Sequence, residues 1–473
     1  MKLLFVISFL FFSSFLLAPQ EVNDDASNTD SSFQLNQNTD DLSSDNSDSN
    51  EVDTDFNFGE VNDETTQFSV SVGGSIYVGI TPFFSDMKNI KELKPSSLLW
   101  GSIHLDAQAP LTHAYINLTL NDQTLPFNLG NKWATTNTNK LPSWLDEAFL
   151  QVSMGSLYFS GGVKKVTWGR ADVLSVLDVI NPHNKTQLLS PDTVDKMGIP
   201  LLHFFAYTPH DIKMEVVFLP IFTPHLLAIE GRWCSIGMKQ VAEFARTQTK
   251  EELSHVFGSD TAKFKFAHTG TRLSTTFANS HDVGFQYFYG HTKMPIVVRY
   301  NSFAIAEYLP VHHIGLDYGT AIGPVNLKLE TCANIIGKNR VKDSNIEWNA
   351  NISSPLTHGF SLNLVIKETI WMYAIEKNDE KVSYALFRKN RQTETISFLS
   401  LSQTILRGAV EWKLSIMMGL EDVDFAILPS LHAMFGTIIF DAQLGVFLGK
   451  NYNGTFSQYH KNNYIRLSFG YEF

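Results

Sequence analysis

In run after run from Gln67 to Phe473, apolar and polar residues alternate, and this period of two constrains the fold more than any other feature. "FSVSVGGSIYVGI" sets Phe68, Val70, Val72, Ile76, Val78 and Ile80 on one side. "GSIHLDA" sets Gly101, Ile103, Leu105 and Ala107 against Ser102, His104 and Asp106. "VNLKLETCA" opposes Val325, Leu327 and Leu329 to Asn326, Lys328 and Glu330, and "AYINLTL", "IKMEVVF", "FSLNLVIKE" and "VEWKLSI" repeat the pattern. Such alternation marks strands whose two faces meet different surroundings. Helical spacing is scarce. Its one candidate is "MKQVAEFARTQTKEELSHVF", where Met238, Val241, Phe244 and Ala245 recur at three-to-four spacing.

The connections suggest what those surroundings are. Tight turns are expected at 109–111, 209–211, 269–271, 323–324 and 354–357, and long loops at roughly 121–146, 164–199 and 221–260. Short turns on one side and long loops on the other are the habit of outer-membrane barrels. A soluble sandwich also alternates, but its apolar face must pack on a second sheet. Here the polar face carries Lys, Glu, Asp and His, and the apolar face is rich in rings: 36 Phe and 12% aromatic residues, against 18% charged. That composition suits a lipid-facing exterior and an aqueous lumen. Beyond the N-terminal segment no run of 18 apolar residues occurs, so no helix is expected to span a membrane. An open sheet edge in hydrocarbon leaves unpaired backbone groups, each costing several kcal/mol, so the sheet must close. The fold expected for residues 67–473 is one closed antiparallel transmembrane β-barrel, all-β, of about 16 strands with 14 to 20 allowed.

The two ends differ from the body. Residues 1–18, "MKLLFVISFLFFSSFLLA", have one Lys and an apolar core, the layout of a secretory signal peptide. Residues 19–66 hold 14 Asp or Glu and no Lys or Arg, and from Gln67 onward 34 acids face 35 bases. The net charge of −12 therefore belongs to one low-complexity segment, too polar and self-repelling to bury a core, and expected to be a disordered linker. Cys234 and Cys332 are the only thiols, so no disulfide scaffold is expected, and two unpaired cysteines are the simpler reading. The chain closes on "NNYIRLSFGYEF", which puts Ile465, Leu467, Phe469, Tyr471 and Phe473 on one face of a strand. Exposed termini usually fray, so something apolar is expected to hold this end.

That last strand resembles the C-terminal assembly signal of Gram-negative outer-membrane barrels, with the same five residues at its expected positions. A second resemblance covers roughly 70 residues from Val163 to Trp233. Trp168-Gly169-Arg170, Ile180-Asn181-Pro182, Asp192 and Asp195, Gly198-Ile199-Pro200, Pro220 and Phe222-Thr223-Pro224 are similar in layout to a segment of a broad family of porin-like outer-membrane proteins. Where that family often carries an acid after its Asn-Pro pair, this chain has Asn184. The resemblances imply an integral barrel of the cell outer membrane with both termini periplasmic, in contact with outer-membrane lipid and read by the barrel-assembly machinery. Homo-oligomers are compatible with that reading.

Lys164, Lys165, Arg170, Asp172, Asp178, Asn181, His183, Lys185, Asp192, Asp195 and Lys196 are the candidate lumen or constriction residues. A loop with such mixed charge has two fates. It folds outward as a surface loop with weak ion pairs of about 0–1 kcal/mol, or inward to narrow the lumen. No HExxH, GxSxG, P-loop or CxxC occurs, and His312-His313 in a strand point to opposite faces and cannot share one metal. No enzyme, cofactor or metal site is expected, and the scattered bases, balanced by acids, do not suggest nucleic-acid binding. The function expected is a porin-like channel for passive diffusion of small polar solutes. The alternative is a barrel-anchored surface adhesin or receptor working through its long loops.

Overall fold

The computed structural model describes residues 68–85, 96–121, 144–186, 196–228, 231–237, 239, 264–278, 280–294, 296–300, 303–337, 343–373 and 391–473. The candidate signal segment, the acidic linker, most of the candidate helix, Asp192 and Asp195 lie outside these residues.

The strands are β1 (Ser69–Thr81), β2 (Ser96–Ala109), β3 (Thr112–Asn121), β4 (Leu145–Met154), β5 (Leu157–Lys164), β6 (Asn184–Lys185), β7 (Ile199–Tyr207) and β8 (Ile212–Leu219). Next come β9 (Leu226–Leu227), β10 (His268–Phe277), β11 (His281–His291), β12 (Ile296–Tyr300), β13 (Phe303–Glu307), β14 (Pro310–Ile322) and β15 (Val325–Ile336). The last are β16 (Asn345–Pro355), β17 (Phe360–Trp371), β18 (Thr393–Ile405), β19 (Val410–Gly419), β20 (Asp424–Phe435), β21 (Ile438–Gly449) and β22 (Tyr464–Glu472). Eighteen of them form one sheet in which each strand pairs antiparallel with the next in order. Only β6 with β9, a two-residue parallel bridge, and the hairpin β12–β13 stand outside it. The sheet closes on itself: β1 pairs with β22 from Ser75↔Glu472 to Ile80↔Leu467 and with β2 along its other edge. The fold is therefore a closed antiparallel barrel, with 18 strands where about 16 were expected.

Side chains sort as the alternation requires. Leu105, Ile116, Leu150, Phe204, Val216, Phe285, Leu316, Ile352, Leu399 and Phe469 are exposed on the outer face. The opposite parity carries Ser75, Gln151, His203, Glu215, Arg272, Gln286, Asp317, Glu330 and Asn349, all buried inside. His313 is buried on the inner face, and His312 accepts or donates a 2.8 Å hydrogen bond with Tyr287 on the outer one. Cys234 and Cys332 are buried and form no disulfide with each other.

The connections also segregate. Turns at 110–111, 155–156, 208–211, 278–280, 323–324, 356–359, 406–409 and 436–437 fall at one end, the end that also holds Ser69 and Phe473. The strand ends that the long connections join, Asn121 and Leu145, Lys164 and Ile199, and Leu219 and His268 among them, lie at the other. One expected turn is corrected. Residues 269–271 run inside β10, and the turn follows at 278–280. Gly270 suggested a turn, but it faces inward where a β-carbon would collide with Phe288 and Trp168. It marks a close approach, not a chain reversal.

Candidate functional site

Of the connection from β5 to β7, the described residues 165–186 and 196–198 lie against the inner wall. Trp168 is 1% exposed and Ile180 0%; with Val166 they pack on Ile199, Leu201, Val217, Leu219 and Phe288, inward residues of β7, β8 and β11. Val176 and Leu177 join Cys332 of β15 in a second apolar cluster. Glycines leave the room for this. A β-carbon at Gly270 would strike the Trp168 indole, and one at Gly315 would strike Leu177. Burying a Trp and several Leu or Ile side chains, about 1.5–3 kcal/mol for each large aliphatic one, drives the loop onto the wall.

Polar anchors then fix its path. The Glu330 carboxylate of β15 accepts hydrogen bonds from the backbone N–H groups of Arg170, Ala171 and Val176 and from the Ser175 hydroxyl. Gly169, at φ +100°, turns the chain into that cradle, where a β-carbon would collide with Glu330. Gln286 donates to the Leu177 carbonyl, and Asn349 to the carbonyls of Val173 and Leu174. These bonds satisfy loop backbone groups that would otherwise be buried without partners.

The sequence candidates divide by partner. Arg170 reaches Asp317 (2.6 Å) and Asp282 (3.0 Å), and Asp317 also meets Arg272 at 2.8 Å. Asp172 pairs with Lys328 and accepts from Asn351 at 3.2 Å. Asp178 meets Lys196 at 2.8 Å and lies 4.0 Å from His183. Lys165 pairs with Asp146 at 2.8 Å, and its N–H donates to Glu147. Lys164, at the end of β5, is buried with its ammonium 4.5 Å from the Phe149 ring centroid. Lys185 is exposed in the bridge between β6 and β9. Asn181 is an internal brace. Its carboxamide accepts from the Val166 N–H and donates to the carbonyls of Lys164 and Met197.

Two further loops clasp this one. The His183 N–H donates to His225 Nδ1 at 2.8 Å, the Leu226 N–H to the His183 carbonyl, and the His225 N–H to the Lys293 carbonyl. Lys293 Nζ donates back to the Asn181 carbonyl. Burial, with Lys185, Lys293 and His183 nearby, pushes His225 well below its ordinary value. Burial likewise pushes Lys293 well down, with Asp178 opposing and Lys196 and Lys185 adding to the shift.

Glu330, Asp317, Asp282, Gln286 and Asn349 were absent from the sequence candidates. Their signal was strand parity: each sits on the polar side of its alternation, and Gly270 and Gly315 interrupt the same face. Among the described residues, no three or more His, Cys, Asp or Glu come together as ligands for a metal ion.

No family model matches the chain, and no curated protein matches it in sequence. Solved structures similar in outline include OccAB4 of Acinetobacter baumannii, at 10% identity, covering 87% of this chain and 100% of that one with a TM-score of 0.48. OccK8 (OprE) of Pseudomonas aeruginosa is similar at 9% identity, with 86% and 98% covered and a TM-score of 0.47. A BenF-like porin of Pseudomonas fluorescens Pf-5 is similar at 10% identity, again with 86% and 98% covered and 0.47. Likeness this remote adds nothing to the strand pairing, on which the barrel rests.

Proposed function

We propose that the chain is an outer-membrane channel for passive diffusion of small polar solutes, narrowed by the inward segment 165–186. The observation that carries this reading is the closed sheet of 18 strands with apolar side chains outside and charged and amide side chains inside. Barrels of about 16–18 strands are wide enough for an aqueous passage, and an apolar belt around a polar interior is what a bilayer demands of one. In this reading Arg170, Asp172, Asp178, Lys196 and Lys165 hold the loop's shape through their wall partners, and solutes pass beside it. The strands' short-turn end, with both ends of the sheet, faces the periplasm, and the strand from Ile465 to Phe473 is read by the barrel-assembly machinery.

Purified full-length protein reconstituted in a planar bilayer should give stable, ohmic single-channel steps. A folded barrel that stays silent would overturn the reading.

A further inference from the structure

Toward the short-turn end, the same wall carries a strip of aromatic rings on its inner face. Tyr115 of β3 and Phe149 of β4 lie with centroids 5.6 Å apart. Tyr158 of β5 and Phe205 of β7 stack nearly parallel, at 4.5 Å with 7° between planes. Tyr207 stands edge-on to both at 6.0 Å. Register places all five on the inward parity, with Tyr115 opposite Phe149 and Tyr158 opposite Phe205. Tyr207 keeps 41% of its surface, and the other four are half-buried. The strip therefore borders the lumen, with Tyr207 its most exposed ring.

The charges around the strip cancel within the wall. Lys165 pairs with Asp146 at 2.8 Å and Lys213 with Glu215 at 3.4 Å, while Lys164 feels both Glu147 and Glu215. Lys213 Nζ also lies 5.2 Å from the Phe205 centroid. A fourth carboxylate, Asp106 opposite Tyr115, meets His113 at 3.2 Å, so each acid around the strip has a basic group beside it and little net field is left to draw an ion of either sign. What the strip offers a passing solute is flat π surface bordered by hydrogen-bonding groups. That suits a molecule with one apolar flat face and an uncharged polar rim.

We propose that this strip is a transit site for uncharged, ring-shaped solutes, which stack on Phe205 and Tyr207 as they pass. The proposal rests on the channel reading and deepens it. Two sources share the chemistry, a pyranose sugar and a neutral arene, and the test separates them.

Single-channel current through the full-length protein is recorded with four added probes: methyl glucoside, nicotinamide, sorbitol and benzoate. Concentration-dependent blocking is expected from methyl glucoside, nicotinamide or both, and none from the acyclic sorbitol at equal concentration. Block by the sugar alone identifies a pyranose site, and block by nicotinamide alone identifies an arene site. Phe205→Ala and Tyr207→Ala should each weaken the block about 2- to 10-fold, the range a ring-on-ring contact carries, with conducting steps preserved. Equal block by sorbitol, block by benzoate alone, or an unchanged block in both variants would overturn the proposal. The probe comparison on the unmodified protein decides the matter even where a variant fails to fold. Absence of any conductance is a different result: it removes the channel reading, and this one with it.

Discussion

Four donors converge on one carboxylate, and that convergence sets the position of the inward loop. Glu330 is 3% exposed and takes the N–H groups of Arg170, Ala171 and Val176 together with the Ser175 hydroxyl. Replacing it by Gln keeps the size and removes two acceptor lone pairs and the charge. The new amide would turn its own N–H toward Ser175 and Val176, or toward Arg170 and Ala171. Each buried donor left unmet costs about 1–3 kcal/mol. Glu330→Gln should therefore free the loop while leaving the barrel folded. The expected signs are faster protease cleavage within 165–198 and noisier channel current, with unchanged heat-modifiable migration on a gel. An equally resistant loop would show that the apolar contacts of Trp168 and Leu177 suffice. In the sequence, Glu330 was legible as a polar-face residue of its strand. Its role was not, because the groups it binds lie 154 to 160 positions away.

At the scale of elements, three long connections act as one clasp. Residues 181–183 are tied to 225–226 and to Lys293 through His183, His225, Leu226 and Asn181. The His183 N–H donates to His225 Nδ1, so the clasp needs that nitrogen without a proton. His225 titrates below its ordinary 6.5, because burial and the neighbouring Lys185, Lys293 and His183 oppose its charge. The folded state thus binds fewer protons than the unfolded chain between the lowered value and 6.5, and stability falls as pH falls through that interval. Lys293 acts with the same sign from its ordinary 10.5 downward, so raising the pH toward that value tightens the clasp. Protection of residues 180–186 and 222–228 against hydrogen exchange, taken relative to the unstructured rate at each pH, should fall between pH 7.5 and 4.5, and His225→Gln, which keeps an acceptor without a titratable proton, should flatten that dependence. A flat profile in the unmodified protein would show that other contacts hold the clasp. The long loops were legible as long loops at roughly 121–146, 164–199 and 221–260. Their association was not, since it joins segments that no local pattern links.

At the scale of the molecule, closure depends on the seam between the first and last strands. Phe473 exchanges backbone hydrogen bonds with Gly74, its N–H donating at 2.9 Å and its carbonyl accepting at 2.8 Å. Its ring lies on the outer face beside Tyr471, with centroids 6.2 Å apart. Deleting Phe473 removes two such bonds, about 0.5–1.5 kcal/mol each, and one lipid-facing ring. The paired residues from Ser75↔Glu472 to Ile80↔Leu467 remain. Refolding into detergent should therefore be close to normal, while the amount of folded protein in the outer membrane of cells falls several-fold. Equal loss in both settings would make seam closure the main role of this residue. No loss in either would remove the assembly reading of "NNYIRLSFGYEF".

The alternation of single residues determined the strands, the two-faced wall and the need for closure, because side-chain parity in a strand is a local property of the chain. The asymmetry of connection lengths determined which turns gather at which end. What the wall holds inside was decided only by the tertiary structure. Gly270 admits Trp168, Gly315 admits Leu177, and Glu330 receives the turn that Gly169 permits. Each of these pairs joins residues about a hundred or more positions apart. Closing the sheet brings them face to face, and only then does a glycine in a strand become a socket and a lone carboxylate an anchor.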